Sequence, residues 1–244
     1  MISALIVAAG KGLRMGAAQR KQYLQLCDRP LLVHTLQAFD QCSEFQTILL
    51  VVPKTEMEFC EKEILPTASL NHRVKLIAGG RRRQDSVFNG LQYLGDGQGV
   101  VLIHDGVRPL VSMALIRDCI QGAMQWGACL PVVQAVDTLK QIDSHGNILC
   151  TMSRESIRMA QTPQAFSLAI ILRAHREARR LNREATDDAS LVEALGVSVH
   201  AIAGSRENIK ITTPEDLAYA EALLKLRSKR FFLENSLQQS GELS

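Results

Sequence analysis

The sequence predicts an α/β protein built on a mostly parallel sheet, and two observations carry that expectation. Short apolar runs rich in β-branched residues recur at Ile2 to Val7, Thr47 to Val52, Val74 to Ile77, Val100 to Ile103 and Cys129 to Val133. Segments of helical character separate them. Strands that alternate with helices pair in parallel and are covered on both faces.

The first run has no basic leader before it and a charged loop after it, so it reads as a strand rather than a signal peptide. The intervening helices carry start signals. Pro30 reads as a first-turn residue, Thr55 with Glu58 as a capping box, and Ser112 as the cap before MALIRDCI. Thr213, Pro214 and Asp216 repeat the signal near the end. Between Val136 and Met152 the pattern becomes a hairpin, TLKQI and NILCT flanking a turn at Asp143 to Gly146. An isolated two-stranded ribbon is marginal in water, so this arm is expected to pack against a partner subunit. A single domain over residues 1–228 is expected, with a polar tail over 229–244 that loses periodicity and frays.

Composition narrows the function classes. With 46% hydrophobic and 22% charged residues in 244, the chain is of ordinary globular type. A net charge of +3 does not demand nucleic acid, and no apolar stretch approaches the ~18 residues of a membrane span. A cytoplasmic protein is expected. The six cysteines show no C-x-x-C pair and read as reduced packing residues.

Ligands of open parallel sheets bind beyond the carboxyl ends of the strands, which selects three loops. After the first strand comes AAGKGLRMGAAQRK, with Gly10, Gly12 and Gly16 and the cations Lys11, Arg14, Arg20 and Lys21. Glycines admit close backbone approach and the cations bring positive charge, a combination suited to a polyanion. The spacing G-x-G-x-x-x-G is neither the dinucleotide fingerprint nor the phosphate loop G-x-x-x-x-G-K-[ST]. After the third strand come Gly79, Gly80, Arg81, Arg82, Arg83, Asp85 and Ser86, and after the fourth His104, Asp105, Gly106 and Arg108. A lone carboxylate at Asp105, facing basic loops, suits a divalent ion that bridges phosphates; its plain alternative is a salt bridge to Arg108. The Arg81 to Arg83 run reads equally as a solvated helix start, and His104 as structural, since no second metal ligand lies at useful spacing.

AAGKGLRM, RKQY, GGRRRQDSV, HDGVRP, DTLK, QTPQAF, TDDASLVE and ENIKITTPEDL follow one another in this order between about Ile2 and Leu224. The series resembles the cytidylyltransferases that act on 2-C-methyl-D-erythritol 4-phosphate in isoprenoid precursor synthesis. The resemblance implies a Rossmann-like nucleotidyltransferase fold, a homodimer clasped by the hairpin arm, and cytidylyl transfer from CTP to a polyol phosphate with release of pyrophosphate. It implies that Ala8, Ala9, Gly10 and Gly12 line the cytosine and triphosphate, that Gly80, Arg83 and Ser86 help to hold the nucleoside, and that Asp105 holds Mg2+. Arg14 and Lys21 match the family's transition-state cations. Arg108, Thr138, Arg154, Thr162, Thr186 and Lys210 match positions around the acceptor, with Arg154 and Lys210 also counted as catalytic.

The sequence departs from the family pattern at Arg20, where proline is usual, at Gly106 and Val107 in place of two alanines, at Val7 in place of a proline, and at Ser153 in place of an aspartate. These leave the charged positions intact. The rival readings are a ribitol 5-phosphate cytidylyltransferase of the same chemistry and a CTP-binding module without turnover. An RNA-binding protein would want aromatic residues interleaved with the basic loops, and none are there.

Overall fold

The structure, a computed structural model, describes residues 1–10 and 20–241, with side chains through 229. In chain order the elements are β1 (Ile2–Val7), a 3-10 turn (Lys21–Tyr23), β2 (Gln25–Leu26), β3 (Arg29–Pro30), α1 (Leu31–Asp40) and β4 (Thr47–Val52). A broken helical segment follows, with a 3-10 turn (Lys54–Glu56), α2 (Met57–Phe59), a π-turn (Cys60–Ile64) and α3 (Leu65–Ala68). Then come β5 (Val74–Ala78), α4 (Arg83–Leu94), β6 (Val100–Asp105), α5 (Met113–Trp126) and β7 (Ala128–Gln134). The chain continues through β8 (Leu139–Ile142), β9 (Ile148–Met152), β10 (Arg158–Ala160), β11 (Gln164–Ser167), α6 (Leu168–Arg180), α7 (Asp188–Glu193), β12 (His200–Ala203) and α8 (Pro214–Gly241).

The main sheet runs β10-β7-β11-β6-β1-β4-β5, with β12 on the other edge of β7. β1, β4, β5 and β6 are mutually parallel, and Val7 lies opposite both Val51 and Asp105. Their carboxyl ends therefore finish at one edge. β11 is inserted antiparallel between β6 and β7, and β10 is antiparallel to β7, so the sheet is mostly rather than wholly parallel.

Period-2 alternation builds two cores, one on each face. Ala4 and Ile6 of β1 pack with Leu32, Leu36 and Phe39 of α1 and with Ile116 and Cys119 of α5. Leu5 and Val7 face Val87 and Leu91 of α4 and Ile171 and Leu172 of α6. A third cluster joins Leu26, Leu31 and Leu110 to Ile211, Ala220 and Leu223, seating α8 against the body.

Ser112 caps α5 as expected, its hydroxyl accepting from the Leu115 N–H at 3.2 Å. At α8, Asp216 accepts from the Thr212 and Thr213 N–H groups at 2.8 and 2.9 Å. Other expectations change. Thr55 and Glu58 form no capping box: Thr55 lies inside the 3-10 turn, and Glu58 instead pairs with Lys62 at 2.7 Å. It is Glu56 that is engaged, by the Tyr23 hydroxyl at 2.9 Å and by Arg20. Pro30 is the cap residue of α1, one position before the helix rather than in its first turn. Cys42, Cys60, Cys119 and Cys129 are buried, whereas Cys27 and Cys150 are exposed free thiols outside the core. The stretch from Arg230 that lacks periodicity continues as helix to Gly241.

The expected hairpin is β8–β9, closed through Asp143, whose carboxylate accepts from the His145 and Asn147 N–H groups at 2.8 and 2.9 Å. It forms a separate two-stranded sheet. Among the described residues no helix is long and apolar enough to cross a membrane.

Candidate active site

A pocket of about 420 Å3 opens at the edge where β1, β4, β5 and β6 end. Ala8, Ala9 and Gly10 line it from the first loop, Gly79 to Arg83 and Ser86 from the loop into α4, Asp105 and Val107 from the end of β6, and Lys21 and Lys210 from further loops. Gly12 and Arg14 of the expected set, with Lys11 and Gly16, lie outside the described residues.

Backbone makes the apolar side of the pocket. The Ala8 N–H donates to the Val51 carbonyl at 2.8 Å, and the buried Gln22 side chain donates to the Ala8 carbonyl at 2.8 Å. A Cβ on Gly79 would meet the Ala9 Cβ at 2.5 Å, and one on Gly80 would meet the Asp85 Cβ at 2.4 Å. No side chain fits at those two positions without a shift, so glycine lets the Gly79–Gly80 backbone lie directly against Ala9 and Asp85. The Ser86 hydroxyl accepts from the Gly80 N–H and donates to the Arg82 carbonyl, both at 3.0 Å. Its bonds thus shape the loop. A Cβ on Gly106 would stand 3.1 Å from both the Ala8 Cβ and Leu32, tight enough that the alanine of the family pattern requires a small shift here.

Cations make the polar side. Asp105, nearly buried, receives Lys210 Nζ at 2.8 Å and Arg83 Nε at 3.2 Å, with Arg108 Nε at 3.9 Å. Burial alone would raise its carboxyl, but Arg83, Lys210 and Arg108 outweigh that and hold it well below the usual carboxylate range. The salt bridge to Arg108 anticipated as the plain alternative is the longest of the three. Arg108 is itself buried and directs Nη1 to the Asn208 carbonyl at 2.7 Å, so it stands behind Asp105 rather than on the pocket wall. The three-arginine run divides: Arg82 pairs with Asp85 and Glu184 at 3.1 and 2.6 Å, Arg83 bridges Asp105 and Asp188, and Arg81 is exposed.

Thr162 is also buried, and its hydroxyl is part of a relay. The Asp105 N–H donates to Thr162 Oγ1 at 3.1 Å, Thr162 lies 3.0 Å from His104 Nδ1, and His104 Nε2 lies 3.1 Å from the Arg108 carbonyl. A carbonyl only accepts, so Nε2 carries the proton and Nδ1 accepts from Thr162. His104 is structural, as expected. Complete burial, opposed by the bond to the Arg108 carbonyl, lowers its pKa to about 4 from 6.5. As pH falls the unfolded chain binds this proton first, so stability declines from about pH 6.5 to about pH 4, by about 3 kcal/mol in all. Urea unfolding should show about 2 kcal/mol of that loss between pH 7 and pH 5. His104→Gln should lack this share; equal pH slopes in the two proteins would refute the assignment.

The remaining expected residues lie apart. Thr138 is exposed at the root of the arm, and Arg154, also exposed, donates to the Val136 carbonyl and so ties that root together. Thr186 is exposed just ahead of α7. Sequence reasoning did not pick out Asp188, Gln161 or Asn208. Gln161 and Asn208 fix the loop that delivers Lys210: Asn208 donates to the Thr162 carbonyl at 2.8 Å, and Gln161 donates to the Ser205 carbonyl at 2.8 Å.

A strand-edge pocket with backbone on one side and clustered cations on the other has the chemistry to receive an anionic ligand. The family model of 2-C-methyl-D-erythritol 4-phosphate cytidylyltransferase matches residues 2–226. The chain belongs to this family. It is thereby a nucleotidyltransferase of isoprenoid precursor synthesis. Among curated members, the protein of that name from Pelotomaculum thermopropionicum is 44% identical over 229 residues, covering 94% of this chain and 96% of its own. The one from Syntrophotalea carbinolica is 47% identical over 221 residues, covering 90% and 94%. The crystal structure of 4-diphosphocytidyl-2C-methyl-D-erythritol synthase from Anaerococcus prevotii superposes with a TM-score of 0.80 at 33% identity, over 92% of this chain and 98% of that one. That crystal structure shares the mixed α/β architecture around which the pocket is built.

Proposed function

We propose that the chain transfers the cytidylyl group of CTP to 2-C-methyl-D-erythritol 4-phosphate in the pocket that joins Ala8 to Gly10, Lys21, Asp105 and Lys210. The convergence of Arg83 and Lys210 on the Asp105 carboxylate, in a pocket that Lys21 also lines beside a backbone wall, is the observation that supports this reading. A phosphate oxygen of the acceptor attacks the α-phosphorus of CTP, the new O–P bond forms in line with the bond to the β-phosphate, and that bond breaks to release pyrophosphate. The nucleophile is already ionised near neutral pH, so no protein base is needed. The cations instead offset repulsion between two anions and stabilise charge that grows on the α-phosphate oxygens. Ala8, Ala9 and Gly10 suit a flat pyrimidine at close range, with the family's Gly12 and Arg14 completing the same loop.

Magnesium belongs to this reading through Asp105. Among the described residues no three acidic, histidine or cysteine side chains are grouped so as to hold a metal ion by themselves. A single carboxylate beside a phosphate pocket still fits magnesium, which takes one or two carboxylates and completes its shell with phosphate oxygens and water. When bound, the ion would neutralise the triphosphate; this chain's residues provide the rest of the orientation.

The decisive experiment is pyrophosphate release with CTP, UTP, ATP and GTP against a panel of polyol phosphates. CTP with 2-C-methyl-D-erythritol 4-phosphate is expected to give the highest rate. Comparable rates with ATP, or with ribitol 5-phosphate, would overturn the corresponding half of the proposal.

The arm supports a homodimer. Val136, Ile142, Ile148, Leu149 and Met152 are all exposed on it, an apolar surface that a partner subunit would cover. Arg154, which directly follows the arm and lies outside the pocket of its own chain, then serves the partner's site, together with Thr138. Mixing Lys21→Ala with Arg154→Ala tests this. Random reassortment makes half the dimers mixed, each with one site intact, so activity should recover to roughly a quarter of wild type. Activity no higher than the mean of the two variants, after demonstrated subunit exchange, would leave the hairpin a structural clasp.

A further inference from the structure

Asp188 stands at the first position of α7, 1% exposed, and a carboxylate there requires partners. It has two. Arg83 Nη1 approaches one oxygen at 2.7 Å and His175 Nε2 the other at 3.2 Å. Burial pushes the Asp188 carboxyl up, yet Arg83 and His175 more than reverse this, so it is ionised.

The surroundings of this carboxylate are rigid. The N–H groups of Asp188 and Ala189 donate to Gln164 Oε1 at 3.1 and 3.0 Å, and Gln164 Nε2 donates to Asp187 at 2.7 Å, which fastens the start of α7 to β11. His175, fully buried on α6, stacks on Phe88 of α4, the helix that Arg83 begins. Arg83 touches Asp188 more closely than it touches Asp105, 2.7 against 3.2 Å. Its guanidinium gives one N–H to each carboxylate and keeps three of its five donors, with the side chain 30% exposed at the pocket.

We propose that Asp188 is a positioning residue that acts through Arg83, drawing the guanidinium away from Asp105 so that it faces the bound phosphates and leaves the Asp105 carboxylate accessible. Without the Asp188 charge, Arg83 has Asp105 as its sole counter-ion and closes onto it with two N–H groups. Both the cation and the carboxylate of the site are then withdrawn from the ligand.

This inference rests on the cytidylyl-transfer reading, and a double-mutant cycle separates the two. Pyrophosphate release is measured for wild type, Asp188→Asn, Arg83→Gln and the double variant, each beside a thermal melt. Asp188→Asn should lower kcat by about 10- to 100-fold, the range for losing a residue that orients a functional group. On the Arg83→Gln background the same change should matter less than about twofold, because no guanidinium remains to be held. If Asp188→Asn alone fails to fold, the comparison of Arg83→Gln with the double variant still decides. Losses that multiply would make Asp188 a purely structural acid and overturn the inference, whereas an inactive wild type would overturn the functional reading and this inference with it.

Discussion

Replacing Asp105 by asparagine is expected to cut pyrophosphate release about a thousandfold at saturating CTP, while the protein stays folded at 25 °C. The carboxylate is the common counter-ion of Arg83, Lys210 and Arg108, at 3.2, 2.8 and 3.9 Å. An amide of the same shape carries no charge, so it neither separates those cations nor holds a magnesium ion among phosphates. Stability should fall as well. Arg83 retains Asp188, but the buried Arg108 retains only the Asn208 carbonyl, and breaking a buried pair costs about 3 kcal/mol. For a chain of this size that corresponds to a melting temperature lower by roughly 6–12 °C. The measurement is a magnesium titration of activity beside a melting curve. A lowered melting temperature with wild-type turnover would show that Asp105 is only a structural ion-pair partner.

The parts of the fold that were legible in the sequence are those whose cause is local. β1 and β4 have the expected boundaries, Ile2–Val7 and Thr47–Val52, because strands buried on both faces read as continuous apolar runs. β10, β11 and β12 have three or four residues each, and pairing with β6 and β7 creates them. No periodicity fits in so short a span. The Thr55 and Glu58 pattern misled because Glu56, two residues before Glu58, finds Tyr23 and Arg20 from a distant loop, and those contacts settle the helix entry.

The site divides in the same way. Its location was legible, since residues after parallel strands must converge at the carboxyl edge, and Ala8, Gly80, Arg83 and Asp105 do, while Lys210, singled out through the family resemblance alone, joins them there. The inward turn of Thr162 and Arg108 was not, because it depends on His104 and Asn208, which reach them from positions 58 and 100 residues away. Asp188 was missed although TDDASLVE holds two adjacent acids at a helix start. Asp187 is the cap, accepting from the Ser190 N–H at 3.0 Å, and the second acid, with no capping role, is the one that reaches Arg83.

Lys21→Ala should lower kcat about a hundredfold and leave the KM for CTP within a few fold, as expected when one preorganised charge aimed at the transition state is lost. Lys21 opens the short turn Lys21–Tyr23 at the pocket rim, and its neighbours brace that turn. Gln22 donates to the Ala8 carbonyl at 2.8 Å, and the Tyr23 hydroxyl donates to Glu56 at 2.9 Å. With those two contacts retained and the core intact, the melting temperature after truncation should stay within about 2 °C of wild type. Rates are to be measured at saturating acceptor over a range of CTP, so that kcat and KM separate. A tenfold or larger rise in KM at unchanged kcat would mean that Lys21 binds the ground-state triphosphate and transition state equally, and the charge that grows at the α-phosphorus would then have to be met by Lys210 and the cations of the preceding loop.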